Sequence, residues 1–316
     1  MRRDSSGSTM GWSRTWVSSP WRCTRCLEAT TARSSATSPL EKFGTGASRS
    51  ETHDHPMSDS GSPRATTVDV VIPVLNEAHV LERSVLAVRR FLQQQPRYAW
   101  RIVIVDNGST DGTDRVATEL AQRYGNVRFV HLSQRGRGRA LRHAWTQSLA
   151  DVMCYIDVDL STELAALPRL IDAISLEGYD VATGSRLMPG SRVVRSTRRE
   201  MISRIYNLFV KAVLGTRFSD GQCGFKAVSR HVADRIIPQV EDQSWFFDTE
   251  LLVLTEKQGY RIKDLPIVWI EDDDSRVKIV RTAWDDVKGV LRIRWQLWRN
   301  RGTGAPAAAI SRDKPE

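Results

Sequence analysis

From Thr67 onward the chain alternates short β-branched runs with stretches of helical spacing. The run Val68-Asp69-Val70-Val71-Ile72-Pro73 predicts a buried strand, and Val80, Leu81, Val85, Val88 and Leu92 recur at helical intervals between Glu77 and Gln94. Arg101-Ile102-Val103-Ile104-Val105-Asp106 predicts a second strand, followed by the turn Asn107-Gly108-Ser109-Thr110-Asp111-Gly112 and a helix from Asp114 to Tyr124. Strands expected at 127–131 and 152–157 enclose a helix at 140–148. Strands alternating with amphipathic helices imply a single Rossmann-like α/β domain, with a mostly parallel central sheet flanked by helices. Ligands of such sheets bind beyond the carboxyl ends of the strands. Three strands here run out into carboxylates: Glu77, Asp106 and the pair Asp157/Asp159.

The second half is less regular. Helices are expected from Arg198 to Leu214 and from Phe247 to Gln258, an extended segment from Cys223 to Val228, and one strand from Ile262 to Ile270. A basic, aromatic helix is expected from Val277 to Arg301. The resulting division is a folded domain over 65–275, an amphipathic helix over 276–301 and a disordered tail over 302–316. Residues 1–64 are rich in Ser, Thr, Arg and Gly without lasting periodicity, a composition that predicts disorder; Met57 is an alternative start.

Composition adds an electrostatic bias. The formal net charge of +9 favours anionic partners such as nucleotides or phospholipid surfaces. Of four cysteines, Cys154 and Cys223 lie in apolar stretches and suit a reducing compartment, while the Cys23/Cys26 pair lacks the partners of a zinc site. No run of about 18 apolar residues and no secretory h-region occurs. The expected location is cytoplasmic, peripherally associated with the inner face of a membrane.

Asp157-Val158-Asp159 carries the first specific chemistry. In extended backbone, side chains two apart point the same way, so both carboxylates can face one divalent cation. Mg²⁺ or Mn²⁺ takes hard oxygen ligands, typically one or two carboxylates plus substrate phosphate oxygens. A cation so held neutralises a diphosphate leaving group.

The pair does not stand alone. Val70-Val71-Ile72-Pro73-Val74-Leu75-Asn76-Glu77, the Asp106–Gly112 turn and Arg135-Gly136-Arg137-Gly138-Arg139-Ala140 precede it in order. Gly184-Ser185-Arg186, Asp220-Gly221-Gln222-Cys223-Gly224-Phe225-Lys226 and Trp245-Phe246-Phe247-Asp248-Thr249-Glu250 follow. On this ordered set the chain resembles the family 2 glycosyltransferases, in the dolichyl-phosphate (polyprenyl-phosphate) glucosyl- and mannosyltransferase branch.

The resemblance implies a GT-A fold, a nucleotide-sugar donor, a polyprenyl phosphate acceptor and inversion at the sugar carbon. It implies that Pro73, Leu75 and Glu77 line the base and ribose pocket and that Asp106 accepts a hydrogen bond from the nucleobase. Gly136 and Gly138 would let backbone approach the nucleotide, with Arg137 adding charge near phosphate. Arg186, Arg198, Arg199 and Ser203 would hold the lipid phosphate, unless the cluster over 192–204 is simply a solvated helix face. Asp248 counts with Asp157 and Asp159 as a catalytic candidate: toward a hydroxyl acceptor Asp248 or Glu250 would be the base, and otherwise Asp248 orients acceptor-binding groups.

Some mannose-transferring relatives have Gln where Ser161 stands, and the run from Gln222 to Lys226 looks more like the glucosyl branch. UDP-glucose is therefore the favoured donor, with GDP-mannose as the other.

Between Arg276 and Arg301 stand eight basic residues (Arg276, Lys278, Arg281, Lys288, Arg292, Arg294, Arg299, Arg301) against Asp285 and Asp286. Trp284, Val287, Leu291, Trp295 and Trp298 recur at three- and four-residue steps. This stripe either lies in an anionic membrane interface or packs on the protein's own core. The first option makes the protein peripheral, with a separate integral-membrane partner one route to its lipid. The non-enzyme alternative is an inactive nucleotide- or nucleic-acid-binding protein, and nucleic acid is not expected as a partner because the clustered carboxylates repel a phosphate backbone unless a metal intervenes. A dinucleotide site is not expected either, since no GxGxxG follows the first strand.

Overall fold

The computed structural model describes residues 65–271 and 279–301. The first half runs β1 (Thr66–Val74), α1 (Ala78–Gln93), β2 (Tyr98–Asn107), α2 (Thr113–Arg123), β3 (Val127–Leu132), α3 (Arg137–Gln147), β4 (Val152–Ile156) and α4 (Leu167–Ser175). The second half adds β5 (Val181–Ser185), β6 (Arg192–Val194), α5 (Thr197–Leu214), β7 (Phe225–Ser229), α6 (Arg230–Arg235), α7 (Phe247–Lys257), β8 (Ile262–Pro266), β9 (Val268–Ile270) and α8 (Ile279–Arg301).

Seven strands form one sheet in the order β3-β2-β1-β4-β7-β5-β8. Only β7 runs against its neighbours, pairing antiparallel with both β4 and β5. Successive side chains point to opposite faces of a strand, and the core follows that rule. Val68, Val70, Ile72 and Val74 join one apolar cluster with Ile102, Ile104, Cys154 and Ile156, packed under α1, α2 and α4. Val71, Val103, Val105, Met153 and Tyr155 face the other layer, against α3, α7 and α8. Both faces are covered, so the central strands read as continuous apolar runs.

The single strand expected over 262–270 is two. Residues Ile262 to Pro266 pair with β5, whereas Val268 to Ile270 pair with β6 in a separate two-stranded sheet. Proline has no N–H to donate to a ladder, and the chain changes sheets just past Pro266. The segments 1–64, 302–316 and Ser275-Arg276-Val277-Lys278 lie outside the described residues.

Within α8, inward and outward faces separate cleanly. Val290 and Ile293 are buried in the core, while Trp284, Leu291, Trp295 and Trp298 are 55–68% exposed. Packing of the tryptophan stripe on the protein's own core is thereby ruled out for these residues. No helix among the described residues is long and apolar enough to cross a membrane.

Candidate active site

The carboxyl ends of β1, β2 and β4 open onto a cleft of about 710 Å³. One wall comes from the loop after β1, with Pro73, Leu75 and Glu77; Asn107, Gly136 and Arg137 continue it. Asp157 and Asp159 form its floor at the end of β4, and Arg186, Arg195, Arg199 and Ser203 stand on the other side.

Polar ties fix the first wall. Ser109 Oγ accepts from the Asn76 N–H at 2.8 Å, and Thr113 Oγ1 accepts from the Glu77 N–H at 2.8 Å. Asn76 adopts a left-handed conformation with φ of 57°, which asparagine tolerates better than most residues. Asn107 donates through Nδ2 to the Val74 carbonyl at 2.8 Å and accepts the Gly136 N–H through Oδ1 at 3.2 Å. One side chain thus joins three strand-end loops.

Asp106 does not reach the cleft. It is 0% exposed, accepts from the Ser109 N–H at 3.1 Å and lies 2.8 Å from His131 Nδ1. The expected contact with a nucleobase is therefore corrected: Asp106 braces the loop, and Asn107 beside it faces the cleft.

Gly138 is corrected as well. A Cβ there would lie 2.6 Å from the Phe247 Cβ, so its small size serves the packing of α3 on α7, away from the cleft wall. At Gly136, φ is 146° and a Cβ would meet the Gln243 carbonyl oxygen at 2.3 Å. The conformation and the contact both demand glycine there.

Asp157 sits in an equally tight cradle. A Cβ on Gly224 would fall 1.8 Å from its Oδ2, so glycine is what admits the carboxylate. Arg137 Nη1 stands 3.6 Å from Asp157 Oδ1. Burial raises the Asp157 pKa to about 6; Arg137 opposes the shift and the negative charge of Asp159 adds to it. Asp159 Oδ1 accepts from the Ser161 N–H at 3.0 Å.

Among the described residues, no group of three or more His, Cys, Asp or Glu side chains could hold a metal by itself. Two adjacent carboxylates in a cleft fit a hard cation whose other ligands come from a phosphorylated substrate.

Asp248 lies behind the cleft, not in it. It is buried against Tyr155 Oη (3.0 Å), Lys226 Nζ (3.1 Å) and the Arg137 guanidinium. Burial alone would raise its pKa, but Lys226 and Arg137 hold it below the ordinary carboxylate value. A carboxylate so paired is a poor proton acceptor, which corrects its candidacy as a base. It fixes Arg137, whose guanidinium also lies 4.5 Å from the Trp245 ring centroid.

The cationic wall differs from expectation in one member. Arg198 is exposed on α5 and does not line the cleft. Arg195, which sequence reasoning passed over, does line it, with Nε and Nη2 both buried and without a hydrogen-bond partner. The signal available was only its place in a run of arginines. Arg186 is held bidentate by Asp220, through Nε at 2.7 Å and Nη2 at 3.0 Å, and Arg199 pairs with Glu271. Burial raises the Asp220 pKa, yet Arg186 overrides it and brings the value to about 2. Ser161 Oγ and Ser203 Oγ are further buried cleft atoms without partners. Unsatisfied polar groups gathered in one cleft mark a place where a polar ligand supplies the missing bonds.

The profile described as Glycosyl transferase family 2 matches residues 69–237. The chain belongs to glycosyl transferase family 2. Glycosyltransferase AglD of Haloferax volcanii is 36% identical over 232 residues, 73% of this chain, and the chain spans 37% of that protein. The dolichyl-phosphate beta-glucosyltransferase of Saccharomyces cerevisiae is 30% identical over 247 residues, covering 72% of this chain and 74% of the relative. Among solved structures, glucosyl-3-phosphoglycerate synthase from Mycobacterium tuberculosis, in complex with Mn²⁺, UDP and glucosyl-3-phosphoglycerate, superposes with a TM-score of 0.55 at 19% identity. That match covers 72% of this chain and 80% of the other, and it makes the fold of this family 2 member GT-A.

Proposed function

We propose that the protein transfers a hexosyl group, with UDP-glucose as donor, to a polyprenyl phosphate. The observation that carries this reading is the polarity of one cleft: two carboxylates at the end of β4 face arginines and hydroxyls contributed from α5 and its approach. A donor diphosphate with its cation suits the first side, and an anionic acceptor suits the second. Relatives named dolichyl-phosphate beta-glucosyltransferase support the choice of sugar and lipid. A solved structure of the same fold carrying Mn²⁺ and UDP supports the cation and the nucleotide.

In this reading Pro73, Leu75, Glu77 and Asn107 hold the nucleoside, while Gly136 and Arg137 border its phosphates. Asp157 and Asp159 would hold Mg²⁺ or Mn²⁺, which when bound neutralises charge developing on the departing diphosphate. Arg195, with two unpaired N–H groups, grips the acceptor phosphate; Arg186, Arg199 and Ser203 border it. A phosphate monoester is already anionic near neutral pH, with a second pKa of about 6. Its oxygen attacks the anomeric carbon as the bond to the diphosphate breaks, so the product is inverted and a nucleoside diphosphate leaves. No side chain has to remove a proton, which agrees with Asp248 being locked in ion pairs. Positioning and electrostatics do the rest.

The lipid brings the protein to a membrane. On α5, Met201, Ile205 and Leu208 are exposed at one-face spacing, and α5 packs against α8 with its outward tryptophans. Lys288, Arg294 and Arg299 are exposed on α8 beside them. An amphipathic surface of this composition suits an anionic interface and a peripheral attachment on the cytoplasmic side.

The test is transfer of radiolabelled sugar into organic-extractable lipid, using full-length protein, polyprenyl phosphate and Mn²⁺, with UDP-glucose and GDP-mannose in parallel. Label is expected from UDP-glucose, lost on chelation and in Asp159→Ala. Transfer from GDP-mannose alone would overturn the donor, and slow donor hydrolysis without lipid labelling would overturn the acceptor.

A further inference from the structure

One buried carboxylate in the cleft is not used by the mechanism above. Asp286 lies on the inward face of α8, one helical turn before Val290 and two before Ile293. Those neighbours are core residues, whereas Asp286 is 3% exposed and lines the cleft. Its Oδ2 accepts from Gln222 Nε2 at 2.5 Å. Its Oδ1 is buried without a hydrogen-bond partner.

An aspartate at a core-facing helix position costs stability that an apolar residue would not. Burial raises its pKa to about 7, and the carboxylates of Asp242, Asp285 and Asp248 add to the shift. The chain thus keeps an expensive group, one of its oxygens unpartnered, in the lining of the ligand cleft.

The chemistry of that oxygen restricts what it can meet. The carboxylates around it make an anionic phosphate a poor ligand, whereas a neutral hydroxyl can donate to the ionised group or accept from the protonated one. Its position narrows the choice further. Gln222, which holds Asp286, precedes by two residues the glycine packed on the Asp157 carboxylate. Gln222 also donates its backbone N–H to Asp220, the partner of Arg186, at 3.2 Å, so Asp286 is tied to both walls of the cleft, between which the group transferred from the diphosphate must pass. Of the substrates, only the sugar is neutral, rich in hydroxyls and attached to that diphosphate.

We propose that Asp286, oriented by Gln222, binds hydroxyl groups of the hexosyl unit and determines which sugar is transferred. This rests on the donor half of the proposed function and adds to it a residue on the last helix. It also gives α8 a place in the active site besides its outward face.

Binding calorimetry on the full chain with Mn²⁺ tests it, comparing UDP with UDP-glucose and with UDP-glucose analogues each lacking one sugar hydroxyl. GDP and GDP-mannose are run in the same panel. The wild type should bind the complete nucleotide sugar about tenfold more tightly than at least one deoxy analogue, the value of a hydrogen bond to a charged group. Asp286→Leu should keep the affinity for the free diphosphate and lose this discrimination, while Asp286→Asn, which can still accept from Gln222, should keep part of it. Equal discrimination in Asp286→Leu and wild type would overturn the proposal. So would a parallel loss of diphosphate and nucleotide-sugar affinity, which would mean that Asp286 only anchors α8. Discrimination lost as expected, alongside no transfer to lipid, would support Asp286 and count against the acceptor alone.

Discussion

At the scale of single residues, the cleft depends on groups that differ from their neighbours by one atom or one bond. Asn107 donates to the Val74 carbonyl and accepts from the Gly136 N–H at once. An ionised aspartate could only accept, so this position is suited to the amide. Gly224 is a sterically sharper case. In Gly224→Ala the new methyl would contend with the Asp157 carboxylate, its position being 1.8 Å from Oδ2. Sugar transfer should fall by about 10²-fold or more through displaced cation binding, while circular dichroism stays native. Normal turnover in that variant would mean that Asp157 is not needed where it stands. Among the arginines, Arg195→Ala should raise the lipid phosphate KM by about 10- to 100-fold, as expected for a charged hydrogen bond. Arg198→Ala, on the exposed surface, should leave that KM unchanged. The reverse ranking in steady-state kinetics would restore Arg198 to the site.

At the scale of elements, α8 does two jobs with opposite faces. Its inner face is bonded to the body: Arg292 pairs bidentate with Glu250 at 2.9 and 2.8 Å, and a Cβ on Gly289 would lie 2.4 Å from the Phe246 ring. Its outer face presents Trp284, Leu291, Trp295 and Trp298. Replacing Trp284, Trp295 and Trp298 together by Ser should release the protein from anionic vesicles in a sedimentation assay. Soluble donor binding should not change, because those side chains point away from the cleft. Sedimentation equal to that of the wild type would assign the stripe another partner.

At the scale of the whole molecule, buried ionisable groups couple stability to pH. Asp286 titrates at 3.8 when unperturbed and at about 7 in the fold. Below the lower value it is protonated in both states and costs nothing. Between the two values the unfolded chain is already ionised in water while the folded chain holds its proton, so stability falls across this window and levels off above it, where both states are charged. Asp286→Asn removes that penalty. The variant should gain on the wild type by on the order of a few kcal/mol between about pH 4 and about pH 8 in urea unfolding. A difference that does not vary with pH would mean that the carboxyl is not shifted in the fold.

The alternation of apolar runs and helical spacing determined the α/β class, and the order of motifs determined the family. Local pattern suffices for these, because strand and helix periods are written in neighbouring residues. That Glu77, Asp157 and Asp159 line the cleft was also legible, since each stands within three residues of a strand end and ligands bind at strand ends. What tertiary structure decided was which polar side chains face the cleft and which are sealed behind it. Asp106 and Asn107 are adjacent in sequence, yet only Asn107 lines the cleft. Arg195 and Arg198 belong to one run of arginines, and only the former lines it. Asp286 comes from a helix more than 100 residues after Asp157 and Asp159 and is brought into the same cleft by the packing of Val290 and Ile293. Spacing along a chain fixes a residue's face on its own element; the partner of that face is set by contacts between elements far apart in sequence.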